Sequence, residues 1–344
     1  MNITSNDRES KELLKIEDLH VSFATHGGTI QAVRGVNFHI MPGECLALVG
    51  ESGCGKSVTA HSIMNMLPKS QTKAHGHIWF DNGDIFSLSE KDMLKIRGSQ
   101  ISMIFQDPMT YLNPTMTIGH QIYEMLRKHN KSLSRKQTKE LCIMTLNKVG
   151  VPDGEHRYDQ FPHEFSGGMR QRVLIGMAII CKPKLIIADE PTTALDVTTQ
   201  AQVLKLIKDF IWELQTSLLL ITHDLGVVAQ MAHRIEIIYA GRIVETGTTM
   251  DIFKNPRHPY TFALLRSIPS PTDDIEKPLY SIAGNPPDLF HPPVGCSFTA
   301  RCEYSMKMCE EYQPATFRIT QEHSAACWLL HPKSPHSIPC RRTQ

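Results

Sequence analysis

Gly50-Glu51-Ser52-Gly53-Cys54-Gly55-Lys56-Ser57 stands between a continuous apolar run, Cys45-Leu46-Ala47-Leu48-Val49, and a stretch of helical pattern from Ser57 to Leu67. The spacing is that of a phosphate-binding loop, and it sits where such a loop works, between a buried strand and a helix. The glycines let successive backbone N–H groups turn inward on an anion at a helix N-terminus, where the helix dipole adds a favourable field. Lys56 would neutralise terminal phosphate oxygens and the Ser57 hydroxyl would ligate Mg2+. Gly50, Ser52, Gly53, Cys54, Gly55 and Val58 complete the candidate contact set. Strand, loop and helix in this order predict an α/β fold around a parallel sheet.

The same rhythm extends in both directions. Upstream, Leu14, Ile16, Leu19, Val21 and Phe23 alternate with polar residues, and Ala32 to Ile40 does so again after His26-Gly27-Gly28, which predicts an antiparallel β start. Downstream, Thr117 to Lys184 is helical in pattern, with Ser134 as N-cap for Arg135 to Val149, and predicts an inserted helical subdomain. The strands Leu185 to Asp189 and Ser217 to Thr222 then flank a helix near Thr199 to Gln215, and Ile235 to Tyr239 and Ile243 to Glu245 meet around Gly241. After Asp251, prolines from Pro256 to Pro293 interrupt every pattern, which predicts a mostly irregular appendage.

Leu185-Ile186-Ile187-Ala188-Asp189-Glu190 ends an apolar strand in two carboxylates. Two acids after a strand often cap a helix; beside a phosphate loop they read instead as a Mg2+ ligand, Asp189, and a base for an attacking water, Glu190. His223 directly follows the apolar strand Ser217 to Thr222, at a sheet edge where a γ-phosphate would lie.

Bulk properties restrict the partners. With 36 Lys and Arg against 35 Asp and Glu in 344 residues, the net charge is +1, and no long-range field favours nucleic acid or an anionic bilayer. Hydrophobic residues make up 41%, ordinary for a chain with a buried core. No apolar run is long enough to span a bilayer, and Met1 to Lys15 has no apolar region of signal-peptide type.

Phe165-Ser166-Gly167-Gly168-Met169-Arg170-Gln171-Arg172 resembles the signature sequence of ABC ATPases, with Phe165 and Met169 where that family usually has Leu and Gln. Physically, Ser166 and the Gly167-Gly168 backbone open a helix and so form a second anion site. The resemblance continues in order, with Gln106 matching the Q-loop, Ala194-Leu195-Asp196 the D-loop, His223 the switch histidine and Phe23 the aromatic that stacks on adenine. It implies ATP as substrate, with Glu190, His223, Lys56 and Gln106 catalytic and Ser57, Gln106 and Asp189 around Mg2+. It also implies a head-to-tail dimer in which the signature residues Ser166, Gly167 and Gly168, with Asp196, complete the site of the other chain.

Gln106-Asp107-Pro108-Met109-Thr110-Tyr111-Leu112-Asn113-Pro114 and Asn255-Pro256-Arg257-His258-Pro259-Tyr260 resemble the dipeptide, oligopeptide and nickel importer ATPases. That resemblance implies two transmembrane permease subunits, a second ABC ATPase that is a paralogue, and an extracytoplasmic solute-binding protein, at the cytoplasmic face of a bacterial or archaeal membrane. Residues Met109 to Pro114 are then expected at the permease. Cys296, Cys302, Cys309 and Cys327 have five, six and seventeen residues between them, which suits a [4Fe–4S] cluster stapling a segment with little core of its own, or Zn2+; four free thiols are the bland reading. The remaining histidines of this region, His258, His291, His323, His331 and His336, show no ligand spacing and read as solvated. Cys54 stands at a helix N-terminus, an environment that lowers a thiol pKa.

The expected organisation is therefore an ABC nucleotide-binding domain over 12–250, with its helical subdomain over 107–183, and an importer-type extension over 251–344. Energising nickel or other small-solute uptake is the alternative role. A soluble ABC ATPase acting on nucleic acid is the other class, but the chain lacks the long heptad insertion or second cassette of such proteins.

Overall fold

The computed structural model describes residues 12–193, 195–268 and 280–335. The chain forms two compact units, one from the segments ending at Lys15, His39–Cys45 and Trp79–Leu220, the other from Ile16–Phe38, Leu46–Ile78 and the segment starting at Ile221. Ala194, His336, Cys340, the first eleven residues and the prolines between Pro269 and Pro278 lie outside the described residues.

In the first unit, Ile101–Ile104 pairs in parallel with Leu185–Asp189, Ile101 opposite Leu185 and Ile104 opposite Ala188. Every residue of both strands is buried, which is why they read as unbroken apolar runs rather than alternating ones. The helical insertion comprises Ile118–His129, Arg135–Lys148, Gly154–Tyr158 and Gly167–Ile179, packed on one another. Ser134 caps the second of these through a reciprocal pair, its hydroxyl accepting from Gln137 N while Gln137 Oε1 accepts from Ser134 N, which satisfies donors the first turn leaves without helical partners.

In the second unit, Leu46 to Val49 of the Cys45–Val49 strand runs parallel to Arg234–Tyr239, with Leu46 opposite Arg234. Arg242–Thr248 follows antiparallel, and Ser324–Ala325 and Phe317–Arg318 extend that edge. Leu14–Thr25 lies between Gly28–Ile40 and Thr72–Phe80 in another sheet. The core gathers Ala47, Val49, Ile235, Ile237 and Tyr239 from the strands with Tyr260, Leu265 and Phe298 from the C-terminal part.

Two elements depart from the sequence reading. The helix after the phosphate loop is Lys56–Ile63 and stops short of Leu67, because Asn65 adopts the left-handed conformation (φ 49°) that a continuing helix cannot hold. The appendage is less irregular than its prolines suggest, with helices at Thr249–Lys254 and Pro259–Arg266. Pro259 stands in the first turn of the second helix, where its missing N–H would have had no helical partner anyway.

Candidate functional site

The phosphate loop lies in the second unit. Gly55 starts the Lys56–Ile63 helix with φ 105°, and a Cβ on it would stand 2.5 Å from the Ala32 carbonyl oxygen. A Cβ on Gly50 would stand 2.2 Å from the Ile238 oxygen, so close backbone approach requires both glycines, and the left-handed φ requires Gly55 in addition. Buried Lys56 donates through Nζ to the Gly50 and Glu51 oxygens at 2.8 and 2.9 Å, which holds its ammonium inside the curve of the loop. Ser52, Gly53 and Ser57 are exposed and Val58 half-buried. The Cys54 expectation is corrected, since burial, acting more strongly than Lys56, raises its thiol pKa instead of lowering it. His223 is exposed directly after Ser217–Thr222, and Phe23 is half-buried on Leu14–Thr25.

The carboxylates belong to the first unit. Asp189 is buried at the end of Leu185–Asp189. Glu190 takes φ 45°, a left-handed conformation that a non-glycine residue holds only when its surroundings impose it. Its carboxylate accepts from Thr193 Oγ1 at 2.9 Å and from Gln106 Nε2 at 3.3 Å. The structure thus brings together Gln106 and Glu190, which lie 84 positions apart. Thr193 was missed by sequence reasoning, and its place three residues after a strand-end acid was the available signal.

Ser166 caps the Gly167–Ile179 helix, its Oγ accepting from Met169 N at 3.4 Å. Gly168 faces the Thr199 methyl, 2.8 Å from where a Cβ would stand, a contact that excludes a side chain. Asp196 caps the Val197–Leu214 helix, and the hydrogen bonds it accepts from Thr199 hold its carboxyl below the usual range. Arg170 donates through Nε to the Pro162 oxygen at 2.7 Å and reaches the Met109 sulfur, which ties the signature helix to the Pro108–Tyr111 helix. Met109 and Tyr111 remain exposed.

Cys296, Cys302, Cys309 and Cys327 line one small cavity, which His258, Phe298 and Trp328 share. Burial, then the neighbouring thiols, pushes Cys327 up to about 12. Gly295 is fixed there, since its Cβ would meet the Cys309 oxygen at 2.1 Å, while Cys296 N donates to that same oxygen at 2.7 Å. Among the described residues no three His, Cys, Asp or Glu side chains are placed to hold a metal ion.

The reading of the nearby histidines as solvated is corrected for two of them. His258 is fully buried, its Nδ1 accepting from Tyr260 N at 3.1 Å, and burial pulls its pKa down to about 3. His323 and Glu245 have no exposed side-chain surface and approach at 2.9 Å. The partner of His323 lies 78 positions away in sequence, out of reach of any local pattern.

Residues 33–193 match the family described as ABC transporter, and residues 244–309 match the one described as oligopeptide/dipeptide transporter, C-terminal region. The oligopeptide transport ATP-binding protein OppD of Bacillus subtilis (strain 168) is 53% identical over 95% of this chain and 91% of its own. The dipeptide transport ATP-binding protein DppD of the same organism is 52% identical, over 95% and 98%. Among solved structures, the ATP-binding cassette MJ0796, a dimer in a post-hydrolysis state with ADP and Pi, superposes with TM-score 0.62 at 26% identity, over 69% of this chain and 98% of that one. The fold and the phosphate loop define an ABC-type ATPase. Within that class, the chain belongs to the oligopeptide/dipeptide family of ABC-transporter ATP-binding proteins. No helix among the described residues is long and apolar enough to cross a membrane.

Proposed function

We propose that this chain is the ATP-hydrolysing subunit that drives uptake of di- and oligopeptides through two membrane permeases, at the cytoplasmic face of a bacterial membrane. The observation that carries this reading is the pairing, in one chain, of an ABC core with the C-terminal region of oligopeptide and dipeptide transporters. Residues 12–250 then act as the nucleotide-binding domain, 107–183 as its helical subdomain and 251–344 as the importer-type extension. Exposed Met109, held to the signature helix through Arg170, and exposed Tyr111 are the surface offered to a permease. A second ATPase of the same family faces this chain head to tail, and an extracytoplasmic binding protein delivers the peptide.

In this reading Gly50, Ser52, Gly53, Cys54, Gly55 and Val58 wrap the phosphates by their backbone and Phe23 stacks on adenine. Glu190, held by Thr193 and Gln106, takes the proton of the water that attacks the γ-phosphorus in line. Lys56 and His223 stabilise the charge that develops on the phosphoryl oxygens. Ser166, Gly167, Gly168 and Asp196 serve the nucleotide of the partner ATPase. The exposed Ser57 hydroxyl, the Gln106 amide and the Asp189 carboxylate are oxygen donors of the kind Mg2+ takes; when bound, that ion neutralises the β- and γ-oxygens.

Cys296, Cys302, Cys309 and Cys327 line one cavity, and as soft donors on a segment with little core of its own they would hold a [4Fe–4S] cluster. Zn2+ held by the same thiolates is the alternative. Anaerobically purified protein should carry iron and acid-labile sulfide; stoichiometric zinc without iron refutes the cluster.

Purification of the tagged chain from gently solubilised membranes tests the transport reading. Two multispan permeases and a second ATPase should accompany it, and ATP turnover of that complex should rise with a peptide-loaded binding protein. Recovery with nucleic acid or soluble partners alone overturns the reading.

A further inference from the structure

The phosphate loop is braced by side chains from the C-terminal part of the chain. Between Gly50 and Lys56 it carries one charged side chain, Glu51, among glycines, a serine and a cysteine, and Gly53 and Gly55 are both left-handed. Glu51 is gripped at two places by residues more than two hundred positions away. Its backbone N–H donates to Tyr260 Oη at 2.9 Å. Its carboxylate accepts both arms of the Arg301 guanidinium, Nη1 at 2.7 Å and Nη2 at 3.0 Å.

Arg301 is itself held on all sides. Nη1 also donates to Tyr239 Oη at 3.2 Å, Nη2 to the Ile282 oxygen at 3.2 Å and Nε to the Ala283 oxygen at 3.0 Å. Its side chain is 5% exposed. Burial works against its charge, but Glu51 and Tyr239 outweigh this and raise its pKa. A planar guanidinium with five fixed donors suits such bidentate clamping, and a lysine ammonium does not reproduce it. Arg301 ends the short turn Thr299–Arg301 and directly precedes Cys302, so it is borne on the wall of the thiol-lined cavity.

We propose that Arg301 is a positioning residue for nucleotide binding, clamping Glu51 so that the C-terminal segment sets the shape of the phosphate loop. The inference rests on the assignment of Gly50–Ser57 as the nucleotide site and adds to it a requirement from outside the ABC core. Lys56 Nζ is bound to the Glu51 oxygen, so a shift of Glu51 displaces the acceptor that orients the lysine. Loss of the clamp releases the loop and weakens nucleotide binding without removing any group that touches nucleotide.

The test measures binding of a fluorescent ATP analogue with Mg2+, and steady-state ATP turnover, for the full chain and for Arg301→Gln, Arg301→Lys, Glu51→Gln, the Arg301→Gln/Glu51→Gln pair and Lys56→Ala. Each single change at 301 or 51 should raise Kd by about 10-fold, Arg301→Lys least, and KM should rise more than kcat falls. The double variant should be no worse than the weaker-binding single one, because both remove the same pair. Amide hydrogen exchange over residues 50–56 should quicken in the variants while that of Leu185–Asp189 stays as in the parent. Wild-type Kd in Arg301→Gln and Glu51→Gln, with binding lost in Lys56→Ala, overturns the clamp and leaves the site assignment standing, as does an additive loss in the double variant. Wild-type binding by Lys56→Ala overturns the site assignment itself.

Discussion

Replacing Glu245 by alanine should unfasten the C-terminal part of the chain from the strand that carries it. Glu245 is buried on Arg242–Thr248, and its carboxylate accepts from Arg257 N at 2.6 Å, His258 N at 2.8 Å and His323 Nε2 at 2.9 Å. With Nε2 as the protonated ring nitrogen, His323 is the third donor. Alanine leaves these three donors without their acceptor, each at about 1–3 kcal/mol. Water entering the vacated space recovers part of this, so a total of about 3–5 kcal/mol is expected, a large share of the ~5–15 kcal/mol that holds a typical protein folded. Glutamine keeps one acceptor oxygen but turns an amide NH2 toward the donors, and should cost about 1–3 kcal/mol. Guanidinium unfolding followed by far-UV circular dichroism, with limited proteolysis after Lys254, Arg257 and Arg266, reads both effects. An alanine variant within about 1 kcal/mol of the parent, with unchanged proteolysis, would refute the view that this carboxylate anchors the segment.

Further outcomes follow from the site and its supports. Glu190→Gln should lower ATP turnover by roughly 10²–10⁴-fold while ATP still binds; undiminished turnover in a phosphate-release assay removes Glu190 from its role. His258, whose pKa falls from 6.5 to about 3 on burial, binds a proton in the unfolded chain but not in the folded one between those values. Stability should therefore be complete above pH 6.5 and decline as pH falls toward 3, by up to about 1.4 kcal/mol per unit from this group. In His258→Asn the slope of denaturation midpoint against pH should flatten between pH 6.5 and 4, and an unaltered slope would clear His258. Ser134→Ala breaks the reciprocal cap of Arg135–Lys148 and should cost about 1 kcal/mol; no shift in unfolding midpoint would mean that water replaces the cap without loss.

The parts legible from sequence share a short range. Gly50 to Ser57 could be read because its chemistry needs consecutive backbone N–H groups, which only contiguous residues supply. Leu185 to Asp189 and Ser217 to Thr222 could be read because strands covered on both faces are apolar without interruption. Ser134 and Ser166 announced their helices because capping is decided within four residues. Cys54 was misread because its pKa depends on how deeply it is buried, a property of the packed chain, and that burial outweighs the adjacent lysine.

The sequence by itself determined that this chain is an ABC ATPase with a C-terminal extension, since the phosphate loop, the strand-end carboxylates and the signature each reside in one short run of residues. Only the tertiary structure decided that Glu190 is held left-handed between Gln106 and Thr193, that Glu245 gathers Arg257, His258 and His323, and that Arg301 reaches Glu51 across 250 positions. Such pairings have no period and no local signature. They arise because buried donors and charges must find partners wherever packing delivers them, and packing is a property of the whole chain.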